Sequence, residues 1–158
     1  MKLKTYIQMG LISFTILALV GCDTIGREQE REMNHAAVHA LAGMVLDIPG
    51  LQSRVNMCPG YLVVERSGSG IPMVGKRGKG VLTNSKTGAR LSVRVSEIEV
   101  DGAWGVGDYT GLYLFQSLEE FQQAFANDWH TESGSIYVKV GRERAVEYQL
   151  KRISTQLR

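Results

Sequence analysis

Three places along the 158-residue chain hold side chains with reactive potential. In "GIPMVGKRGKG", Gly70, Gly75 and Lys76 have the spacing of a phosphate-cradling loop, in which backbone N–H groups and a lysine hold nucleotide phosphates. Such a loop needs Ser or Thr after the lysine and a helix behind it, but Arg77 follows and "GKGVL" reads as a strand start. Glycine-rich turns carrying solvated cations are the better account. His35 and His39 stand four apart, which puts two imidazoles on one helix face. Ala36 follows His35 where a zinc protease has Glu, and His130 is distant in the chain, so no metal is expected and the imidazoles read as solvated or interfacial. Cys58 and His130 lack any shared local motif, and G-x-S-x-G is absent. No catalytic residues and no cofactor are expected, and Cys58, at the edge of the apolar run in "NMCPGYLVV", reads as a small buried hydrophobe.

The amino terminus carries a different chemistry. Lys2 and Lys4 precede a mostly apolar stretch from Ile7 to Val20, which ends in "LVGC" at Leu19 to Cys22. This is the pattern of a secretory signal with a lipobox. The apolar run holds Gln8, Ser13 and Thr15 and is short for a bilayer span, which disfavours a permanent membrane helix. The N-terminus resembles that of bacterial lipoproteins, which implies residues 1–21 as a signal peptide and Cys22 as the acylated first residue of the mature chain. At about 0.8 kcal/mol per buried CH₂, two or three acyl chains such as palmitate anchor firmly where one is marginal. The expected location is the cell envelope, facing the periplasm: the inner membrane if Asp23 acts as a retention signal, otherwise the outer membrane. Export also removes the chain from cytosolic ATP, which weighs further against a nucleotide site.

Removing 21 of 158 residues leaves 137, a length suited to a single core. Taking Lys2 and Lys4 from the 18 basic side chains leaves 16 against 16 acidic ones, so no global basic field invites nucleic acid. Lipidation of Cys22 leaves Cys58 as the one other thiol, so no intramolecular disulfide can form.

Residues 22–32 read as a charged tether merging into a helix. From Glu28 to Leu46 the apolar residues Met33, Ala36, Ala37, Ala40, Leu41, Met44 and Val45 recur at helical spacing, and "DIPG" at 47–50 stops the helix. Another short helical turn is expected over Leu51 to Cys58. "YLVVER" is strand-like, and "GKGVLTNSKTGARLSVRVSEIEV" reads as two strands around a turn at Asn84 to Gly88, with a bulge near Ser96 and Glu97. "GLYLFQ" and "SIYVKV" are further strands. "SLEEFQQAFANDW" reads as a helix with Ser117 as N-cap and Glu120 completing a capping box, its face formed by Leu118, Phe121, Phe125 and Trp129. In the tail, Val146, Leu150 and Ile153 have helical spacing, though the segment could also extend a sheet. The pattern predicts an α+β fold, an antiparallel β-sheet with an N-terminal amphipathic helix and a helix packed after the central strands.

Charge is unevenly distributed. Residues 54–94 hold eight basic side chains (Arg54, Arg66, Lys76, Arg77, Lys79, Lys86, Arg90, Arg94) against Glu65 alone, and residues 95–138 hold eight acids with no Lys or Arg. Pairing of these blocks across neighbouring strands is the leading expectation. A basic face toward anionic lipid headgroups is the other.

The stretches "LAGMVLDIPGLQSRVNMCPGYLVVE" and "GKRGKGVLTNSKTGARLSVRVSEIEVDGAWGVGDYTGLYLFQSLEEFQQAFANDW" resemble the SYLF domain family of lipid-binding proteins, which occur in bacteria as secreted proteins and lipoproteins. The resemblance covers residues 41 to about 140 and implies a single SYLF-like domain over 33–158. Eukaryotic members are credited with a basic N-terminal helix for phosphoinositides, but residues 22–53 here carry two basic and five acidic side chains. Local charge instead nominates Lys76, Arg77 and Lys79, then Arg90 and Arg94, for anionic-lipid contact. The function expected is that of a non-enzymatic envelope lipoprotein binding lipid or a membrane-proximal partner. The alternatives are an assembly lipoprotein that contacts only protein and, last, an envelope hydrolase.

Overall fold

A computed structural model describes residues 26–66, 78–100 and 108–157. The described residues fall into two units, 26–32 and those from Met33 onward. In the first, residues 26–32 are helical and exposed, with Arg31 and Glu28 one turn apart and 4.0 Å from each other.

Helix α1 occupies 26–47, its portion from Met33 onward belonging to the second unit. Then follow α2 (Leu51–Met57), β1 (Gly60–Arg66), β2 (Gly78–Asn84), β3 (Arg90–Val100), β4 (Tyr109–Leu114), α3 (Leu118–Ala126), β5 (Trp129–Thr131), β6 (Ser135–Val140) and β7 (Val146–Leu157). All strand pairs are antiparallel, in the order β3-β2-β1-β4-β6-β7, and β3 also pairs with β7. The sheet therefore closes into a six-stranded barrel, with β5 added alongside β7. This corrects the expected α+β sheet: the protein is mostly β, and its sheet curls shut.

The tail closes it. One edge of β7 runs along β3 from Val93↔Leu157 to Val100↔Leu150, while its other edge pairs first with β6 and then with β5. The spacing of Leu150 and Ile153 is a strand interrupted by a bulge, not a helix. The register slips between Glu99 and Val100, so Lys151 and Arg152 both stand exposed between two buried neighbours. A matching slip between Val95 and Glu97 is the bulge anticipated near Ser96. Bulges sharpen strand bending, which a barrel this narrow requires.

Alternation sorts the apolar residues into two sets. Leu62, Val64, Leu82, Val93, Val95, Ile98, Tyr113, Ile136, Val138, Leu150 and Ile153 fill the interior. Val63, Val81, Leu112 and Tyr137 point outward and are covered by Ala37 and Met44 of α1 and by Leu51 and Val55 of α2. Six strands enclose less room than the eight that just accommodate side chains, so some inward positions must be bare. At Gly80 a Cβ would lie 2.9 Å from Leu62 Cδ1 and 3.2 Å from both Val93 and Val95 Cγ2.

Helix α3 closes one end. Phe121 packs on Phe115 at 5.4 Å between ring centroids, and Trp129 lies 5.0 Å from Phe115 and 5.5 Å from Tyr113. The helix stops at Ala126, earlier than the sequence suggests, and Trp129 instead begins β5. Leu118 is 55% exposed and does not join the packed face. Ser117 Oγ accepts from Glu120 N at 3.1 Å, as an N-cap should. The Glu120 carboxylate, however, reaches past Ser117 to accept from Gln116 N and from the Tyr113 hydroxyl.

The turn between β2 and β3 forms as expected: Asn84 Oδ1 accepts from Lys86 N and Thr87 N, and Gly88 sits at φ 70°. The outer elements are pinned by polar ties. Asp47, at the end of α1, accepts from Lys139 Nζ on β6 and from Ala145 N at 3.1 Å. Arg54 of α2 donates to the Tyr137 hydroxyl, with Glu147 3.9 Å away.

Candidate functional site

Strand alternation decides where the nominated cations go. Lys79 shares its parity with the outward Val81, and Arg90 and Arg94 alternate with the inward Val93 and Val95, so all three stand exposed on the outer surface of β2 and β3. The register sets Lys79 directly opposite Arg94, and Arg90 opposite Thr83. Glu65 faces Lys79 from the other side, on β1. Lys76 and Arg77 lie outside the described residues, as does Cys22.

The expected pairing between the basic and acidic blocks is not what the described residues display. Ion pairs among them join Arg31 with Glu28, Arg54 with Glu147, Lys139 with Asp47, and Arg152 with both Glu97 and Glu132. Lys79, Arg90 and Arg94 enter none of them. Like charges directly opposed on adjacent strands repel, and Glu65, opposite Lys79 on its other side, offsets part of that repulsion.

The barrel interior is packed with its own apolar side chains. A cleft of about 490 Å³ does exist outside it. Ala36, Ala40 and Gly43 of α1, whose small side chains leave space, line it together with Arg66, Tyr109 and Lys139. Burial pushes the Tyr109 phenol up to about 12, with the adjacent Arg66 guanidinium acting the other way. Hydrogen bonding from Lys139, then from the Ala145 backbone, lowers the Asp47 carboxyl below the ordinary range. Glu65 and Asp108 also border the cleft, so its charges balance and it is not an anion trap. Sequence reasoning missed this cleft, because only the β1–β4 register brings Arg66 opposite Tyr109.

Cys58 and His130 do not form a nucleophile pair. The half-buried Cys58 thiol lies 3.2 Å from the Val55 carbonyl and 3.4 Å from Ser85 Oγ, and burial pushes it above its usual value. A thiol held protonated is a poor nucleophile. His130 is exposed on β5. On α1, His35 and His39 approach to 3.2 Å between their Nε2 atoms. Among the described residues no group of three or more His, Cys, Asp or Glu side chains is placed to hold a metal ion, and no helix is long and apolar enough to cross a membrane.

No protein-family model matches this chain, and no curated protein matches it.

Proposed function

We propose that this protein is a non-enzymatic lipoprotein of the bacterial envelope, tethered by acylated Cys22 and using the outer face of β2 and β3 to engage anionic lipid headgroups, a reading that rests on local charge. The observation that carries this reading is the exposed trio of Lys79, Arg94 and Arg90, two of them directly opposed and none of them in an ion pair among the described residues. Lys76 and Arg77 adjoin Lys79 in the chain and add to the same cationic block. A packed interior directs any lipid contact to the surface, where each Lys or Arg near an anionic membrane contributes about 1 kcal/mol. Three such residues amount to roughly a hundredfold in partitioning. That is weak alone and effective beside an acyl anchor, because the tether keeps the local lipid concentration high.

Vesicle flotation tests the reading. The Cys22→Ser chain, lacking the signal peptide, is expected to float with vesicles containing anionic phospholipid, not with neutral ones, and to detach as salt rises. Lys79→Glu with Arg94→Glu is expected to abolish flotation without loss of fold. Equal behaviour of the wild-type and double-variant chains on anionic vesicles would refute it. A stoichiometric co-purifying envelope protein, with indifference to vesicles, would establish the protein-contact alternative.

A further inference from the structure

The strongest unassigned feature is on α1. His35 and His39 are one turn apart, both exposed, with Nε2 atoms 3.2 Å apart and ring centroids 4.4 Å apart. The i, i+4 spacing makes the side chains neighbours, yet it does not by itself aim both ε nitrogens at a common point. Here they converge.

We infer that His35 and His39 form a two-imidazole site for a borderline divalent metal ion such as Zn²⁺ or Ni²⁺. A metal at the usual Zn–N distance of about 2.0–2.1 Å from both nitrogens subtends an N–M–N angle of about 100°, within the range of tetrahedral and cis-octahedral coordination. Without metal, the same separation holds an N–H···N hydrogen bond, one ring donating from Nε2 and the other accepting. Metal binding exchanges that arrangement for one in which both Nε2 lone pairs face the ion and both rings carry their proton on Nδ1. The separation of the two nitrogens already suits a shared ion, so binding needs reorientation of the two rings rather than a change in the helix.

Two ligands leave the rest of the coordination shell to others. No third protein ligand is placed nearby among the described residues, so water or a donor from a second molecule completes the shell. His39 also lines the cleft beside Arg66, Tyr109 and Lys139. The ion therefore sits at the border of this cleft, with coordination positions available to a bound anion or carbonyl. Imidazole ligands select the later first-row metals, and Mg²⁺ or Ca²⁺ has no affinity for such a pair.

The test uses the untagged mature chain carrying Cys22→Ser, titrated with Zn²⁺ and separately with Ni²⁺ under calorimetry, and with imidazole resonances followed by NMR. One equivalent is expected to bind, with the His35 and His39 ring signals shifting together and that of His130 unmoved. His35→Ala and His39→Ala are each expected to weaken binding by more than about tenfold, the cost of losing even an outer partner of a metal ligand, while His130→Ala leaves it unchanged. Both substitutions are at exposed helical positions, and circular dichroism is expected to stay that of the parent chain. Absence of saturable binding, or binding that survives either His35→Ala or His39→Ala, would overturn the assignment.

Discussion

The Tyr113 hydroxyl donates to Glu120 Oε1 at 2.7 Å, tying a side chain of the barrel interior to the first turn of the helix that closes the barrel. Tyr113 is 2% exposed, so this bond satisfies a phenol that water does not reach. Thr131 is its other side-chain partner, so loss of the carboxylate leaves the buried hydroxyl under-satisfied, at a cost toward the lower end of about 1–3 kcal/mol. Glu120→Ala is therefore expected to destabilise more than Tyr113→Phe, since the first takes the charged acceptor from a buried hydroxyl and the second removes the hydroxyl. A double-mutant cycle by urea denaturation measures the coupling, and additivity of the two substitutions would show that the bond contributes nothing.

Two buried phenols give the fold an alkaline limit. Burial raises both Tyr109, up to about 12, and Tyr113, whose bond to the Glu120 carboxylate raises it further. Because the folded values exceed the unfolded value of about 10, the unfolded chain loses these protons first. Stability from this source is complete below about pH 10 and declines as pH rises through the folded values. Tyr109→Phe is expected to flatten the decline between about pH 10 and 12, and urea midpoints read beside phenolate absorbance measure it.

Asp47 sets the matching trend in acid. Its carboxyl is held low by Lys139 and by the Ala145 N–H. Stability from this contact is present above the ordinary aspartate range, near pH 4, and is lost as pH falls through the depressed folded value. Asp47→Asn is expected to shallow the acid limb of stability and to loosen the end of α1. Hydrogen exchange at residues 44–48 reads the second effect.

Gly60 lies against the ring of Phe121, where an added Cβ would come within 2.3 Å of Cε2. Gly60→Ala thus forces α3 outward and is expected to cost about 1–3 kcal/mol, as overpacking does. Phe121→Ala opens a cavity at about 3–5 kcal/mol. The pair should cost clearly less than the sum, since the small side chain makes room for the added methyl. Thermal unfolding of the three variants decides this.

Barrel closure by β7 sorts the tail residues. Leu150→Ala and Ile153→Ala each remove a buried side chain and are expected to cost about 2–5 kcal/mol. Gln156→Ala, exposed on the outer face, should fall within about 0.5 kcal/mol. Chemical denaturation measures all three, and equal small effects would be incompatible with a strand that seals the barrel.

Local signals were legible wherever one residue type has one physical use. Asn84 and Gly88 announced their turn, Ser117 its helix, Pro49 and Gly50 a stop, and the shifted alternation at Ser96 its bulge. The tail was ambiguous because a strand bulge at Lys151 and Arg152 places Leu150 and Ile153 three apart, the same interval a helix turn imposes. Trp129 was misassigned because its aromatic contacts with Phe115 and Tyr113 are equally served from a strand next to α3.

The chain's own chemistry states most of its elements, its apolar amino-terminal run ending in "LVGC" and its unequal charge blocks, since these rest on neighbours in sequence. Closure of the sheet, the opposition of Lys79 and Arg94, the cleft beside α1 and the convergence of the two imidazoles rest on strand register and side-chain direction. Those depend on which edges meet once apolar surface is buried, and no local interval encodes that β3 will find β7 more than fifty residues away.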